Sequence, residues 1–217
     1  MMALPHQQEL LNPTTLRQEV QLDTIKGMMI GAVGASWTMV EPLTTMTWGA
    51  PRPIDDSKVE AVRAALKQDI AKEVVSKDTY FGGKQMAAIG RLALIADELG
   101  ETSLANTFRT KLKSYLEPWL KAGGKLVFDQ TWGGVIDPNG PFGMNNYNDH
   151  HFHFGYFVYA AAIIAKADPG WVNTYGNAVM SLIRDFSNPA TNFGDPHFTQ
   201  MRAKDWFVGH SWASGRC

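Results

Sequence analysis

The chain has 217 residues, 45% hydrophobic and 19% charged, a globular balance that argues against disorder and against a membrane span. Its net charge of -1 gives no electrostatic reason to expect nucleic acid or an acidic polymer as partner. The single cysteine, Cys217, permits no intramolecular disulfide, and Met1 to Val20 shows no charged and then apolar leader, so the compartment stays unassigned.

The first fifty residues read as extended and irregular. Pro5, Pro13, Pro42, Pro51 and Pro53 break any long helix, while Met28-Met29-Ile30 and the stretch Ser36 to Val40 read as short strands between glycines. Asp55-Asp56-Ser57 predicts the cap of a helix reaching about Ser76, with Val59, Val62, Leu66, Ile70 and Val74 at helical spacing. Phe81-Gly82-Gly83 reads as a turn. A second helix carries Met86, Ile89, Leu92, Ala93, Ala96 and Leu99 and ends at Gly100. A third starts near Thr102, with Leu104, Phe108, Leu112, Tyr115, Trp119 and Leu120 on one face, and stops at Gly123-Gly124.

Lys125 to Phe128 and Thr131 to Ile136 suit a small hairpin around Asp129-Gln130. The next helix, Phe157 to Lys166, is apolar all round and is therefore expected to be buried on all sides in the inner layer of a multi-helix assembly. Trp171 to Phe186 reads as an amphipathic helix stopped by Asn188-Pro189. The remainder is loop, with a short stretch around Trp206 to Trp212 and no internal repeat. About five helices are too few to enclose the apolar one, so the chain reads as a fragment.

The densest chemistry lies between Asn148 and Tyr156, where one carboxylate, three imidazoles and three aromatic rings follow the turn from Gly140 to Asn146. Such a set suits a sugar: rings stack on it, imidazoles bond its hydroxyls, and a carboxylic acid protonates a glycosidic oxygen. Asp149 reads either as that acid, kept protonated by Phe152, Phe154 and Tyr156, or as a helix N-cap, and the two roles can coexist. His150, His151 and His153 with Asp149 also have the makings of a zinc site. On a helix, however, Asp149 and His153 share a face and His151 and His153 point apart, which favours one cleft over a metal. Gly209-His210-Ser211-Trp212-Ala213 resembles a nucleophile elbow without the apolar strand it needs, and Trp206 and Trp212 suit sugar stacking better. Gly27 to Gly34 lacks dinucleotide-binding spacing; neither a cofactor nor a metal is expected.

Several of these stretches resemble glycoside hydrolase family 81, the endo-β-1,3-glucanases. They include Gly34-Ala35-Ser36-Trp37-Thr38-Met39, Tyr80-Phe81-Gly82-Gly83-Lys84 and Thr131-Trp132-Gly133-Gly134. The most specific are the run from Tyr147 to Phe157 and the run from Asp205 to Gly215. The resemblance implies a mainly α chain: residues 1–50 ending an N-terminal β-sandwich, 51–80 linking, and 81–217 beginning an (α/α)6 catalytic barrel. It implies inverting cleavage of internal β-1,3 bonds in laminarin-type glucan, with Asp149 as general acid and His153 beside the scissile sugar. Trp132, Tyr156, His210 and Trp212 are further candidates for sugar contacts. The family's general base lies in a glutamate-rich segment after the last motif, so this fragment is expected to lack it and to be nearly inactive alone. A non-catalytic glucan-binding protein and a metal-dependent hydrolase using the His150 to His153 cluster are the alternatives. No nucleic acid or membrane partner is expected.

Overall fold

The computed structural model describes residues 1–40, 50, 52–189, 194–200, 202–203, 205 and 207–208. They divide into two units, one drawn from Met1–Thr47 and Trp206–His210, the other from Trp48–Asp205. The described residues are mainly helical, as the resemblance implies.

The first unit is a small antiparallel sheet. Strand β1 (Met2–Ala3) leads to a one-turn helix α1 (Pro5–Gln8), whose Pro5 occupies the first helical position, where no backbone donor is needed. Strands β2 (Leu16–Thr24) and β3 (Gly27–Ala32) form a hairpin, and the sheet order is β1-β3-β2. Ala3, Leu11 and Ala32 make its core. The Gln7 amide donates to the Phe207 carbonyl at 2.7 Å and so ties the returning chain to this unit. The expected strand at Met28 to Ile30 lies within β3. The one expected at Ser36 to Val40 does not form, and β2 was not anticipated: six of its nine residues are exposed, so no buried face imposes an alternating pattern.

In the second unit Asp55 caps a single 3-10 turn by accepting from Ser57 N at 2.9 Å, and α2 (Val59–Asp69) follows. This helix stops seven residues short of the expected Ser76. The backbone N–H groups of Val75 and Ser76 donate instead to the Gln85 side chain, at 2.9 and 3.1 Å. Helix α3 (Phe81–Glu98) begins where a turn was expected. Asp78 supplies the start, accepting from Tyr80 N at 2.9 Å and Phe81 N at 2.7 Å. Gly82 and Gly83 serve close packing: a Cβ on Gly82 would sit 2.9 Å from the Ser76 carbonyl oxygen, and one on Gly83 would sit 3.1 Å from Tyr156 Cβ.

Gly100, at φ +71°, ends this helix, and α4 (Thr102–Leu120) runs as expected. The hairpin is shorter than expected: β4 (Val127–Asp129) pairs with β5 (Gly134–Ile136). Helices α5 (His150–Ala167) and α6 (Pro169–Ser187) complete the unit. No helix among the described residues is long and apolar enough to cross a membrane.

Met86, Ile89 and Ala93 of α3, Phe108, Leu112 and Leu116 of α4, and Phe157, Ala160 and Ile163 of α5 interlock in one core. Burying each large side chain there contributes about 1.5–3 kcal/mol. Helix α5 differs from expectation twice. It starts seven residues early, because His150, His153, Phe154, Phe157, Ala161 and Ile164 form one continuous buried stripe. Its far side, including Val158, Tyr159 and Ala162, is only half-buried among the described residues, so it is not enclosed on all sides.

Candidate active site

The chain enters α5 through a tight passage in which Phe142, Tyr147 and Asp149 all have left-handed backbones, with φ of 60°, 63° and 56°. Non-glycine residues hold that conformation at a cost of about 1–3 kcal/mol each, so their surroundings must enforce it. Beside this passage lies Asp185 of α6, which is 1% exposed and anchors the side chains of Tyr147 and His150. Its Oδ1 accepts from Val135 N at 2.8 Å and from the Tyr147 hydroxyl, and its Oδ2 faces His150 Nδ1 at 2.5 Å. His150 Nε2 meets the Met144 carbonyl at 2.9 Å. Both ring nitrogens of His150 are thus held by oxygens.

Tyr147 stacks on His150 with ring centres 3.9 Å apart, and the Arg202 guanidinium lies 4.1 Å from the Tyr147 ring centre. Arg202 in turn donates to the carbonyls of Trp132 at 2.5 Å and Gly133 at 3.1 Å. Burial, and then the Asp185 charge, push the Tyr147 hydroxyl far above its ordinary pKa, so it remains a donor. Position 134 must be glycine, since a Cβ there would stand 1.2 Å from the Tyr147 hydroxyl oxygen.

Asp149 itself occupies the N-cap position of α5, but its side chain makes no capping bond. Only its carbonyl serves the helix, accepting from Phe152 N at 3.0 Å and His153 N at 3.1 Å. Its Oδ1 is buried and has no hydrogen-bond partner among the described residues. One turn on, His153 is 0% exposed. Its Nδ1 lies 2.7 Å from Thr79 Oγ1, and its Nε2, like Asp149 Oδ1, is buried without a partner. Burial first, then the His150 charge, push the His153 pKa down to about 4, so the ring is neutral near pH 7.

Aromatic rings surround this pair. The Tyr80 ring touches His153, Tyr156 and Phe142 with centre distances of 5.3, 5.9 and 4.8 Å. Tyr156 is half-buried, and burial raises its pKa. Trp132, 48% exposed, sits on the turn between β4 and β5 with its ring 5.6 Å from Tyr147. His151 is half-buried beside Phe152 and has its pKa lowered by burial. Among the described residues no group of three or more His, Cys, Asp or Glu is placed to hold a metal. His210 and Trp212 lie outside the described residues.

The glycosyl hydrolase family 81 C-terminal domain matches residues 54–217, and the family's N-terminal domain matches residues 1–52. The chain belongs to glycosyl hydrolase family 81. A glucan endo-1,3-beta-D-glucosidase of Glycine max is 34% identical over 94% of this chain and 32% of its own length. The primary septum glucan endo-1,3-beta-D-glucosidase of Schizosaccharomyces pombe is 32% identical over 98% of this chain and 23% of its own. A solved structure of a mutant glycoside hydrolase family 81 protein from Clostridium thermocellum superimposes with a TM-score of 0.87 at 33% identity, covering 99% of this chain and 31% of that one. The chain thus spans about a third or less of the length of these family 81 relatives.

Of the six sequence candidates in this family 81 chain, His153 and Tyr156 meet through the Tyr80 ring, and Asp149 is joined to His153 by a backbone bond. Trp132 joins through Tyr147 and His150. Sequence reasoning missed Asp185 and Thr79. Asp185 had a signal: it follows Ala178 and Leu182 at helical spacing, a carboxylate on an otherwise apolar stripe. Thr79 had none, because its partner lies 74 residues away.

Proposed function

We propose that the complete protein hydrolyses internal β-1,3-glucosidic bonds of laminarin-type glucans with inversion, and that Asp149 is its general acid. The observation carrying this reading is the Asp149 carboxyl group, released from capping duty and holding a buried oxygen without a partner at the start of α5. The names of the matched relatives support the substrate class. Protonation of the leaving oxygen by Asp149 would be matched by a second carboxyl group about 6.5–9.5 Å away, which activates water on the opposite face of the sugar. His153 would bond the sugar at the scissile linkage, and Tyr156, Trp132, His210 and Trp212 would line its path. In this reading residues 1–50 close a β-sandwich, 51–80 form a link, and 81–217 open the catalytic barrel.

The test is proton NMR of a linear β-1,3-glucan during cleavage by the complete protein. New reducing ends should appear first as the α-anomer. The β-anomer would overturn inversion, and tight binding without cleavage would make the protein a glucan-binding module.

A further inference from the structure

Trp119 and Trp171 are 6% and 7% exposed and belong to the core, whereas Trp132, on the turn between β4 and β5, is 48% exposed. We propose that Arg202 is a positioning residue: it fixes this turn and so holds the Trp132 ring ready to stack on a sugar ring of the bound glucan. The inference rests on the glucan reading above and deepens it.

The backbone of Trp132 is held at both of its polar groups. Its N–H donates to Asp129 Oδ1 at 2.9 Å, and its carbonyl accepts from Arg202 Nη2 at 2.5 Å. The same guanidinium nitrogen meets the Gly133 carbonyl at 3.1 Å and Thr199 Oγ1 at 2.9 Å. The turn has little slack on its other side, since a Cβ on Gly133 would stand 3.0 Å from the His197 carbonyl oxygen. Just beyond it, Val135 N donates to Asp185 Oδ1 at 2.8 Å. The directions open to a side chain follow from its backbone, so a peptide held on both sides of Cα limits where the indole can point.

A half-exposed indole on a fixed turn calls for a partner with an apolar face. A β-glucosyl ring has two, because its hydroxyls lie around the rim and its C–H groups point to the faces, where the electron-rich face of an indole attracts them. A ring already held in place loses less freedom when the sugar arrives, so fixing the turn beforehand strengthens binding. Arg202 also links the turn to the segment that carries Asp149. Its guanidinium lies 4.1 Å from the centre of the Tyr147 ring, and Tyr147 stacks on His150, the first residue of α5 and the neighbour of Asp149. One side chain thus braces both the exposed ring and the entrance to α5.

The test is a double-mutant cycle in the complete protein, read as KM for a linear β-1,3-gluco-oligosaccharide. Trp132→Ala should raise KM roughly tenfold and Arg202→Met roughly three- to fivefold. The double variant should be no worse than Trp132→Ala alone, because Arg202 acts through the ring. Arg202→Lys, which keeps a charged donor, should show a smaller loss of the same kind, and it serves in the cycle if Arg202→Met does not fold. Additive losses would make Arg202 merely structural and overturn the proposal. So would an unchanged KM in every folded Arg202 variant. An unchanged KM in Trp132→Ala would mean that another part of the protein covers the ring, and would overturn it too. Binding without cleavage would break the hydrolase reading alone, and the cycle would then be read in affinity. Nitrogen-15 relaxation of the Trp132 indole needs no glucan: the ring should be more mobile in the Arg202 variants, and equal rigidity would overturn the positioning role.

Discussion

The two ends of α5 are held by opposite means. From Phe157 to Ile164 the helix is held by Phe108, Leu112, Met86 and their neighbours, where any shape that fills the space contributes through apolar area. From Asp149 to His153 it is held by directed bonds, each needing a named partner: Asp185 and Met144 for His150, and Thr79 for His153. The apolar end leaves nothing unfinished. The polar end leaves two buried atoms, Asp149 Oδ1 and His153 Nε2, without partners among the described residues. A protein keeps such groups at a cost to its stability, and here both lie in the segment that opens α5.

The contrast can be broken most forcefully at Asp149. Asp149→Asn should lower glucan hydrolysis by about 10²–10⁴-fold, the usual contribution of a general acid, while the melting temperature stays close to wild type because no capping bond is lost. A variant that keeps its activity would move the acid elsewhere.

Deletions at both ends should be comparably severe in stability and differ in how they are repaired. Asp185→Asn disrupts the buried bonds to His150, the Tyr147 hydroxyl and Val135 N and should cost about 3–5 kcal/mol in denaturant unfolding. Phe157→Ala should cost about 3–5 kcal/mol through its cavity. Replacing His150 with a neutral residue as well should recover part of the first loss, whereas the second admits no such rescue.

The same small addition should also be felt differently at each end. At Gly134 a methyl group collides with the Tyr147 hydroxyl and with Asp185, so Gly134→Ala should abolish the network and lower both stability and activity. At Gly90 the obstacle is Ile163 Cδ1 at 2.7 Å, the tip of a flexible side chain. Gly90→Ala should therefore cost no more than about 1–3 kcal/mol and leave kcat/KM alone.

The smallest effect is a pH slope. The folded pKa of His153 lies near 4, below its ordinary 6.5, so between those values the unfolded chain binds more protons than the folded one. His153 therefore adds no penalty above pH 6.5 and takes stability away as pH falls from 6.5 towards 4. Denaturant midpoints measured across that window should flatten in His153→Gln relative to wild type.

The apolar end was legible because its spacing repeats. Leu104, Phe108, Leu112 and Trp119 announce α4, and the run after Phe157 announces the middle of α5. The polar end was legible in composition but not in form. His150 and His153 continue the buried stripe of α5, yet histidines do not register as core, so the helix start was placed seven residues late. Gly82 and Gly83 were read as a turn because glycine's freedom is visible in a sequence and the approach of Tyr156 is not. Asp149 is suggested by its neighbours, while the carboxylate that anchors Tyr147 and His150 on either side of it comes from residue 185, far along the chain. Thr79 became meaningful only when folding set it against His153.

If the protein cleaves glucan as proposed, the polar end of α5 is where the glucan binds. The most direct measurement is titration of a short β-1,3-gluco-oligosaccharide into Asp149→Asn protein labelled with nitrogen-15 at histidine, a variant that should bind without cutting. The expected result is saturable binding with a large shift of the His153 ring-nitrogen signal. Saturation of the protein with that signal unmoved would contradict it.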